Sequence, residues 1–518
     1  MSNSSNDRSQ RRNVARVGAG ILVTRILGFV RERVFAQYFG IGVEADAYGA
    51  AMKIPNVIRN LLGEGTLSAS FIPVYAGMIE KGETENARSL AGAIASILVL
   101  LTAAAALLGY LLAPVITDLA APGFSGYQRD LTITLVRILF PMFGVLILSA
   151  WCLGILNTHR RFFLSYAAPS MWNIAQIATL VGLGGHLLGT PLVIALAWGA
   201  VVGSVLQIAI QLPVVLPLVK GIRWGLNPDT PGVRQVIRAW VPVVFGAGVV
   251  QISSVIDTQL ASLLPGGSVA ALRYAQLIAI LPVSLFGVGV AAVALPELSR
   301  DAAGDAHDAL RIRLADGFRQ LVFYVIPSAF AFAALGSQMV GALFETGTFD
   351  SGDTAIVAGV LAAYALAVPA QTSIKLLASG HYALGDTKTP VRIAIIAVTV
   401  SAGAAFVLMQ SLGPAGIALG AAVGAYLNVA LNSMMLKRRL GPIVGRQDRH
   451  LFVAVAFAAI LAALAAGQVA ELLSARHIWI QACVSLMAFA GVYGALTLVL
   501  RHPEAQKLLM AAKGGKGR

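Results

Sequence analysis

Val14-Ala-Arg-Val-Gly-Ala-Gly-Ile-Leu-Val-Thr-Arg-Ile-Leu-Gly-Phe-Val-Arg-Glu-Arg-Val-Phe-Ala-Gln-Tyr-Phe-Gly40 is long enough to cross a bilayer, yet it holds Arg25, Arg31, Glu32 and Arg33. The next such segment adds Asp46, Lys53, Arg59 and Glu64. A charged side chain at the bilayer centre costs roughly 2.5 to 3.5 kcal/mol even on lenient insertion scales, so charges at that depth face a cavity, a partner or a substrate. The stretch therefore predicts a membrane helix with a polar interior side, not a lipid-facing wall.

The composition agrees. Of 518 residues, 57% are hydrophobic and 12% charged, and the mean hydropathy is +0.78. Uncharged runs such as Leu90–Thr117 and Pro191–Val219 exceed the ~20 residues a spanning helix needs. They are continuous and lack the dyad alternation of a membrane barrel. The expected fold is all-α and polytopic, with about fourteen spans. These lie near 14–40, 46–79, 87–117, 130–156, 165–187, 191–219, 237–264, 268–296, 317–345, 354–380, 390–412, 414–436, 451–473 and 478–500.

Lys and Arg set the orientation, because cytoplasmic loops retain positive charge. With the N-terminus inside, one set of loops gathers Arg8, Arg11, Arg12, Arg160, Arg161, Lys220, Arg223, Arg234, Arg300, Arg311, Arg313, Lys388, Lys437, Arg438, Arg439 and the tail from Arg501. The opposite set holds little beyond Arg129 and Arg476. This asymmetry absorbs most of the net charge of +14. It implies anionic lipid headgroups as partners of those loops and no nucleic acid. The polar leader runs straight into the first span and is read as retained. Cys152 and Cys483 sit in apolar runs as packing residues, with no disulfide or metal spacing. Pro231–Trp240 and Asp305–Arg319 alternate charged and apolar positions and are expected to lie along the cytoplasmic interface. His159, His186, His307 and His381 are dispersed and are read as solvated loop residues.

An internal echo divides the chain. Gly18-Ala-Gly20 returns as Gly246-Ala-Gly248, and Pro55 and Pro73 find counterparts in Pro282 and Pro296, at an offset of about 225 residues. A parallel repeat of this kind is what two transporter lobes produce. On the same offset Asp46 falls opposite Arg273.

In the second span Lys53, Asn60 and Glu64 follow Asp46 by seven, fourteen and eighteen residues. At 100° per residue all four fall within about 40° of one stripe. Pro55, Gly63, Gly65 and Pro73 interrupt the same segment, offering hinges beside a buried carboxylate. Arg25 and Arg31 stand six residues apart, about 120° on an ideal helix, and so do not share a narrow stripe. Guanidinium is a planar, permanent cation whose fork suits phosphate oxygens, and converging arginines suit a diphosphate. Glu32, seven residues from Arg25, neutralises part of the cluster but leaves it net positive.

These motifs carry a family resemblance. Thr24-Arg-Ile-Leu-Gly-Phe-Val-Arg-Glu32, Phe39-Gly-Ile-Gly42, Ala45-Asp-Ala-Tyr48, Lys53-Ile-Pro-Asn-Val-Ile-Arg59 and Gly63-Glu-Gly-Thr-Leu-Ser-Ala-Ser-Phe-Ile-Pro73 resemble, in order, the MurJ (MviN) family of lipid II flippases. Gln251-Ile-Ser-Ser-Val-Ile-Asp257, Phe286-Gly-Val-Gly-Val290, Leu295-Pro-Glu-Leu-Ser299, Lys375 and Asp386-Thr-Lys-Thr-Pro-Val-Arg392 extend the similarity over most of the chain. The resemblance implies the fold of the multidrug/oligosaccharidyl-lipid/polysaccharide exporters: lobes over 1–220 and 221–437 around a central cavity, and two added helices over 438–518. It implies transport of lipid II, the undecaprenyl-diphosphate-linked cell-wall precursor, across the bacterial inner membrane, and cell-wall synthesis proteins as partners.

By the same resemblance Arg25, Arg31 and Asp46 match cavity positions, with Arg59 beside them, and Glu64 matches a gate carboxylate flanked by Pro55, Gly63 and Gly65. Two positions depart from the family: Asn60 stands where relatives often carry a second arginine, and Leu277 where some carry another. Arg273, one helical turn earlier, is the candidate to restore the second cation.

The expected mechanism is alternating access with no bond broken, hence no enzyme and no cofactor. No Walker-type loop occurs. The membrane potential, or ion coupling through Asp257, Glu64 or Lys375, is left to supply direction. The alternatives are a drug or polysaccharide-lipid exporter of the same fold, or a membrane enzyme on prenyl-linked intermediates. The cationic cavity disfavours cationic drugs, and short outer loops without paired acids disfavour the enzyme.

Overall fold

A computed structural model describes residues 2–222, 224–227, 229–303 and 307–514. Those residues form helices, turns and one isolated bridge between Thr346 and Phe349. The chain divides into two compact units, Met1–Gly267 with Thr346–Phe349, and Ser268–Glu345 with Asp350–Arg518.

The first unit contains α1 (Ser2–Phe39), α2 (Val43–Leu62), α3 (Glu64–Glu80), α4 (Thr84–Leu111), α5 (Ala113–Ala120), α6 (Gly126–Thr158), α7 (Phe162–Ala167), α8 (Ser170–Leu183), α9 (Thr190–Leu218) and α10 (Val233–Ser262). Its core gathers Phe71 and Tyr75 of α3, Leu90 and Leu98 of α4, and Ile147, Trp151 and Ile155 of α6. The lobe boundary expected at 220/221 differs from the boundary at Gly267 because α10 packs on α2 and α3.

The second unit contains α11 (Ser268–Pro282), a π-helical turn at Val283–Gly287, α12 (Val288–Ala303), α13 (His307–Phe344), α14 (Ser351–Ala383), α15 (Lys388–Leu412), α16 (Pro414–Leu440), α17 (Arg446–Leu472), α18 (Ile478–Val499) and α19 (Pro503–Gly514). One core joins Leu298, Leu310, Leu314, Leu376 and Leu436. Another sets the alanine face of α17 (Ala458, Ala459, Ala462, Ala466) against Phe323, Leu335 and Phe489. Tyr493 ties α18 to α13 by donating to the Phe323 carbonyl at 2.6 Å.

Among the described residues ten helices are long and apolar enough to cross a membrane. They coincide with ten of the fourteen expected spans. The other four, near 14–40, 46–79, 165–187 and 237–264, fall on α1, on α2 with α3, on α7 with α8, and on α10. The expected single span 46–79 is two helices broken at Gly63. A Cβ there would lie 2.5 Å from the Arg59 carbonyl oxygen, so the chain can turn this tightly only at glycine. Side chains that face outward are strongly apolar, including Leu107, Leu108 and Leu111 on α4 and Phe406 and Val407 on α15, as lipid contact requires.

The segments Pro231–Trp240 and Asp305–Arg319 lead into α10, which opens at Val233, and α13, which opens at His307 and is kinked at Leu335; Asp305 lies outside the described residues. The reading of the dispersed histidines is corrected. His381 is not solvated: it is 0% exposed at the end of α14. His159 is partly buried and hydrogen-bonds Tyr75 Oη at 3.1 Å. The motif Asp386-Thr-Lys-Thr forms the turn into α15. There the Thr389 N–H (3.0 Å) and hydroxyl (2.8 Å) and Arg439 (2.9 Å) converge on the Asp386 carboxylate. The two Thr389 donors, with Arg439 adding charge, hold that carboxyl below its ordinary range.

α15 packs along α16. Gly416, Gly420 and Gly424 recur every four residues on one face of α16. A Cβ at these positions would come within 2.4 Å of Leu408, 2.5 Å of Ala405 and 2.5 Å of Ser401. In lipid, where apolar burial does not drive helices together, such backbone approach supplies the packing. Gly420→Val is expected to force the pair apart and cost about 2 kcal/mol or more. The check is a lowered thermal midpoint of the detergent-solubilised protein.

Candidate substrate-binding cavity

The break at Gly63 opens a space inside the first unit. It is a cavity of about 640 Å³ lined by Thr24 and Arg31 of α1, Arg59 and Asn60 of α2, Gly65 and Ser68 of α3, residues of α6 around Ser149, Ser165 of α7, Trp172 and Asn173 of α8, and Gln207 and Gln211 of α9. Among the described residues the charged lining residues are two arginines, Arg31 and Arg59.

Each wall has a sequence reason. α9 can approach α8 because of its glycines: a Cβ at Gly203 would lie 2.9 Å from Trp172 Cα, and one at Gly199 would lie 2.2 Å from Thr179 Oγ1. That contact presents Trp172 to α1, where its ring lies 4.6 Å from the Arg31 guanidinium carbon. Arg31 also donates to Glu32, which is buried at 7% exposure. Arg31 is thus held from two directions. Thr24 donates to the Tyr166 carbonyl at 2.8 Å, fixing α1 on α7.

Arg59 donates to Asn60 Oδ1 at 3.4 Å, and Asn60 Nδ2 donates to Gln251 Oε1 of α10 at the same distance. On the far wall Gln207 Nε2 donates to Ser149 Oγ at 2.8 Å, and Ser149 donates to Gln211 Oε1 at 2.8 Å. The result is a positively charged recess with a neutral hydrogen-bonding wall. It suits an anion that carries hydroxyl or amide groups. Among the described residues no cluster of His, Cys, Asp and Glu could hold a metal ion.

The expected site residues are distributed as follows. Arg31, Arg59 and Gly65 line the cavity. Arg25 is exposed and outside that lining. Asp46 also lies outside it: it is 1% exposed and accepts a hydrogen bond from the Gly267 N–H at 2.6 Å. Pro55 is buried within α2 and Gly63 marks the break. The Glu64 backbone begins α3, and its side chain lies outside the described part. Lys53 of α2 and Asp257 of α10 are partly buried and attract each other electrostatically. Arg273 and Lys375 belong to the second unit; Arg273 places its guanidinium 4.7 Å from the Tyr274 ring centre, and Lys375 is exposed on α14.

Sequence reading passed over Trp172, Ser149, Gln207 and Gln211. The available signal was Gln207 and Gln211 four residues apart in an otherwise apolar run, which puts two amides on one helical face.

The family model of lipid II flippase MurJ matches residues 35–489. The chain belongs to the MurJ family. A lipid II flippase MurJ of Burkholderia cenocepacia is 35% identical over 432 residues, covering 81% of this chain and 82% of the relative. A probable lipid II flippase MurJ of Rhizobium tropici is 35% identical over 434 residues, covering 82% and 80%. Among solved structures, a lipid II flippase MurJ in an inward closed conformation superposes with a TM-score of 0.77 at 24% identity, over 93% of this chain and 98% of that one. An inward-facing multidrug resistance MATE family transporter of the MOP superfamily superposes at 0.68 with 15% identity, over 83% and 98%. These superpositions establish the transporter fold. The match to the MurJ family model begins after Arg25 and Arg31 and includes Arg59 and Asp257.

Proposed function

We propose that the chain is a lipid II flippase of the MurJ family that moves the undecaprenyl-diphosphate-linked peptidoglycan precursor from the cytoplasmic to the outer leaflet by alternating access. The observation that carries this reading is the cavity's described lining: two guanidinium groups facing a wall of neutral amides and hydroxyls within apolar helices. A diphosphate head cannot cross bare hydrocarbon, whereas a prenyl tail never has to leave it. Arg31 and Arg59 supply forked donors to the phosphates, and the Gly63 break beside Arg59 is the hinge at which the wall of the cavity moves. Arg25 and Arg273 are further cations for the phosphates in other steps of the cycle.

The protein resides in the bacterial plasma membrane with its N-terminus cytoplasmic, where basic loops meet anionic lipids, and it transports without bond chemistry. An inside-negative potential contributes about 2.3 kcal/mol per unit charge per 100 mV to expelling an anionic head. The Lys53–Asp257 pair between α2 and α10 is the candidate coupling element.

The test is reconstitution in proteoliposomes loaded with lipid II, followed by its accessibility on the opposite leaflet. Translocation without nucleotide, abolished by substitutions at both Arg31 and Arg59, is expected. Background-level translocation in wild-type vesicles would overturn the reading.

A further inference from the structure

Gln211 is 1% exposed and lines the cavity. Its Oε1 receives the Ser149 hydroxyl at 2.8 Å, while its Nε2 is buried without a hydrogen-bond partner. Ser149 in turn receives Gln207 Nε2 at 2.8 Å. One hydroxyl joins two amides in this chain. Whichever way the Gln211 amide is turned, only one of its two polar atoms meets Ser149, and the other is left over. A buried amide donor without a partner is disfavoured, and native interiors keep few. Here it stands in the wall of a cavity that also holds two guanidinium groups. The volume, about 640 Å³, lies within the ~300–1,000 Å³ of small-molecule sites and is large for a diphosphate alone.

Building on the flippase reading, we propose that Gln211 is a specificity residue. It donates its spare amide N–H to a neutral oxygen of the headgroup saccharide, a hydroxyl or acetamido carbonyl, and Ser149 and Gln207 position it. The arginines then read the diphosphate that every prenyl-linked precursor shares. The amide wall reads the sugar that distinguishes one from another. A site built to hydrogen-bond a substrate group rejects analogues lacking it, because its own donor stays unsatisfied.

The experiment compares two probes, lipid II and undecaprenyl diphosphate without sugars, for binding to and translocation by the full-length protein in proteoliposomes. Gln211→Leu is expected to weaken lipid II binding about five- to tenfold, the range for one neutral hydrogen bond in a buried site, and to leave undecaprenyl diphosphate unchanged. Ser149→Ala, which frees the Gln211 side chain, is expected to lower the same preference less. Arg31→Ala is expected to weaken both probes together. Gln211→Asn, shorter by one methylene, provides a polar variant should the leucine protein fail to fold, and is expected to show the same selective loss. Equal weakening of both probes by the Gln211 variants, or no change in either, overturns the assignment while leaving the flippase reading standing. Wild-type protein that binds neither probe overturns both.

Discussion

Arg31→Ala is expected to lower lipid II translocation about 100-fold in a protein that still folds, far beyond what its lowered thermal midpoint accounts for; the midpoint falls because the change also takes the ion-pair partner from buried Glu32. The guanidinium sits in the cavity wall, held by Glu32 and the Trp172 ring. Charge-assisted hydrogen bonds to a phosphate are worth about 1.5 to 3 kcal/mol each, and removing a forked donor forfeits about 3 kcal/mol, which is the 100-fold. Arg31→Lys keeps the charge but loses both the fork and the flat face on the indole, and so is expected to recover only a minor part. Trp172→Ala is expected to give an intermediate loss, because the arginine keeps its charge but not its aim. Initial rates in proteoliposomes, with lipid II accessibility as readout, check all three. An alanine variant that transports at the wild-type rate would move substrate recognition out of this cavity.

Much of the architecture was readable from hydropathy because a spanning helix must satisfy its backbone internally and present apolar side chains to lipid. The ten uninterrupted apolar runs are ten long helices of the structure. Boundaries failed where polar function intrudes. The segment 46–79 reads as one hydrophobic stretch, and only the clash a Cβ at Gly63 would suffer with Arg59 explains why it is two helices.

The site was legible where charge marked it. Arg31 and Arg59 stand out in apolar surroundings and line the cavity, whereas Arg25, expected to line it too from about 120° round the helix, is exposed outside the lining. Neutral polar residues gave a weaker signal, since Gln207, Gln211 and Ser149 barely lower the hydropathy of their runs. What makes them a wall is the pairing of α6 with α9, which no single run contains. His381 misled in the opposite sense: it follows a span and precedes a polar turn, yet tertiary packing by Leu314 and Leu436 around Gly380 encloses that helix end.

Asp46→Ala and Gly267→Ala are expected to destabilise the protein substantially and through the same contact. Asp46 is in the first turn of α2, where a carboxylate also opposes the positive end of the helix dipole, and its Oδ2 receives the Gly267 N–H at 2.6 Å. Gly267 has φ +94°, and a Cβ there would lie 2.4 Å from the Ile41 carbonyl oxygen. Only glycine accepts both the left-handed backbone and that approach. Losing the charged acceptor costs about 1.5 to 3 kcal/mol and leaves a buried amide unsatisfied; alanine at 267 costs a comparable amount by displacing the same amide. Because both changes remove one hydrogen bond, the double variant is expected to lose clearly less than the sum.

Thermal midpoints of the purified protein, lower by several degrees for each single variant, check this. Asp46→Asn separates structure from transport. It keeps an acceptor oxygen at the Gly267 amide, so a purely structural Asp46 predicts near-normal stability together with near-normal lipid II translocation. A folded asparagine variant that no longer transports would show instead that the negative charge itself takes part in the cycle, as the family resemblance at this position implies.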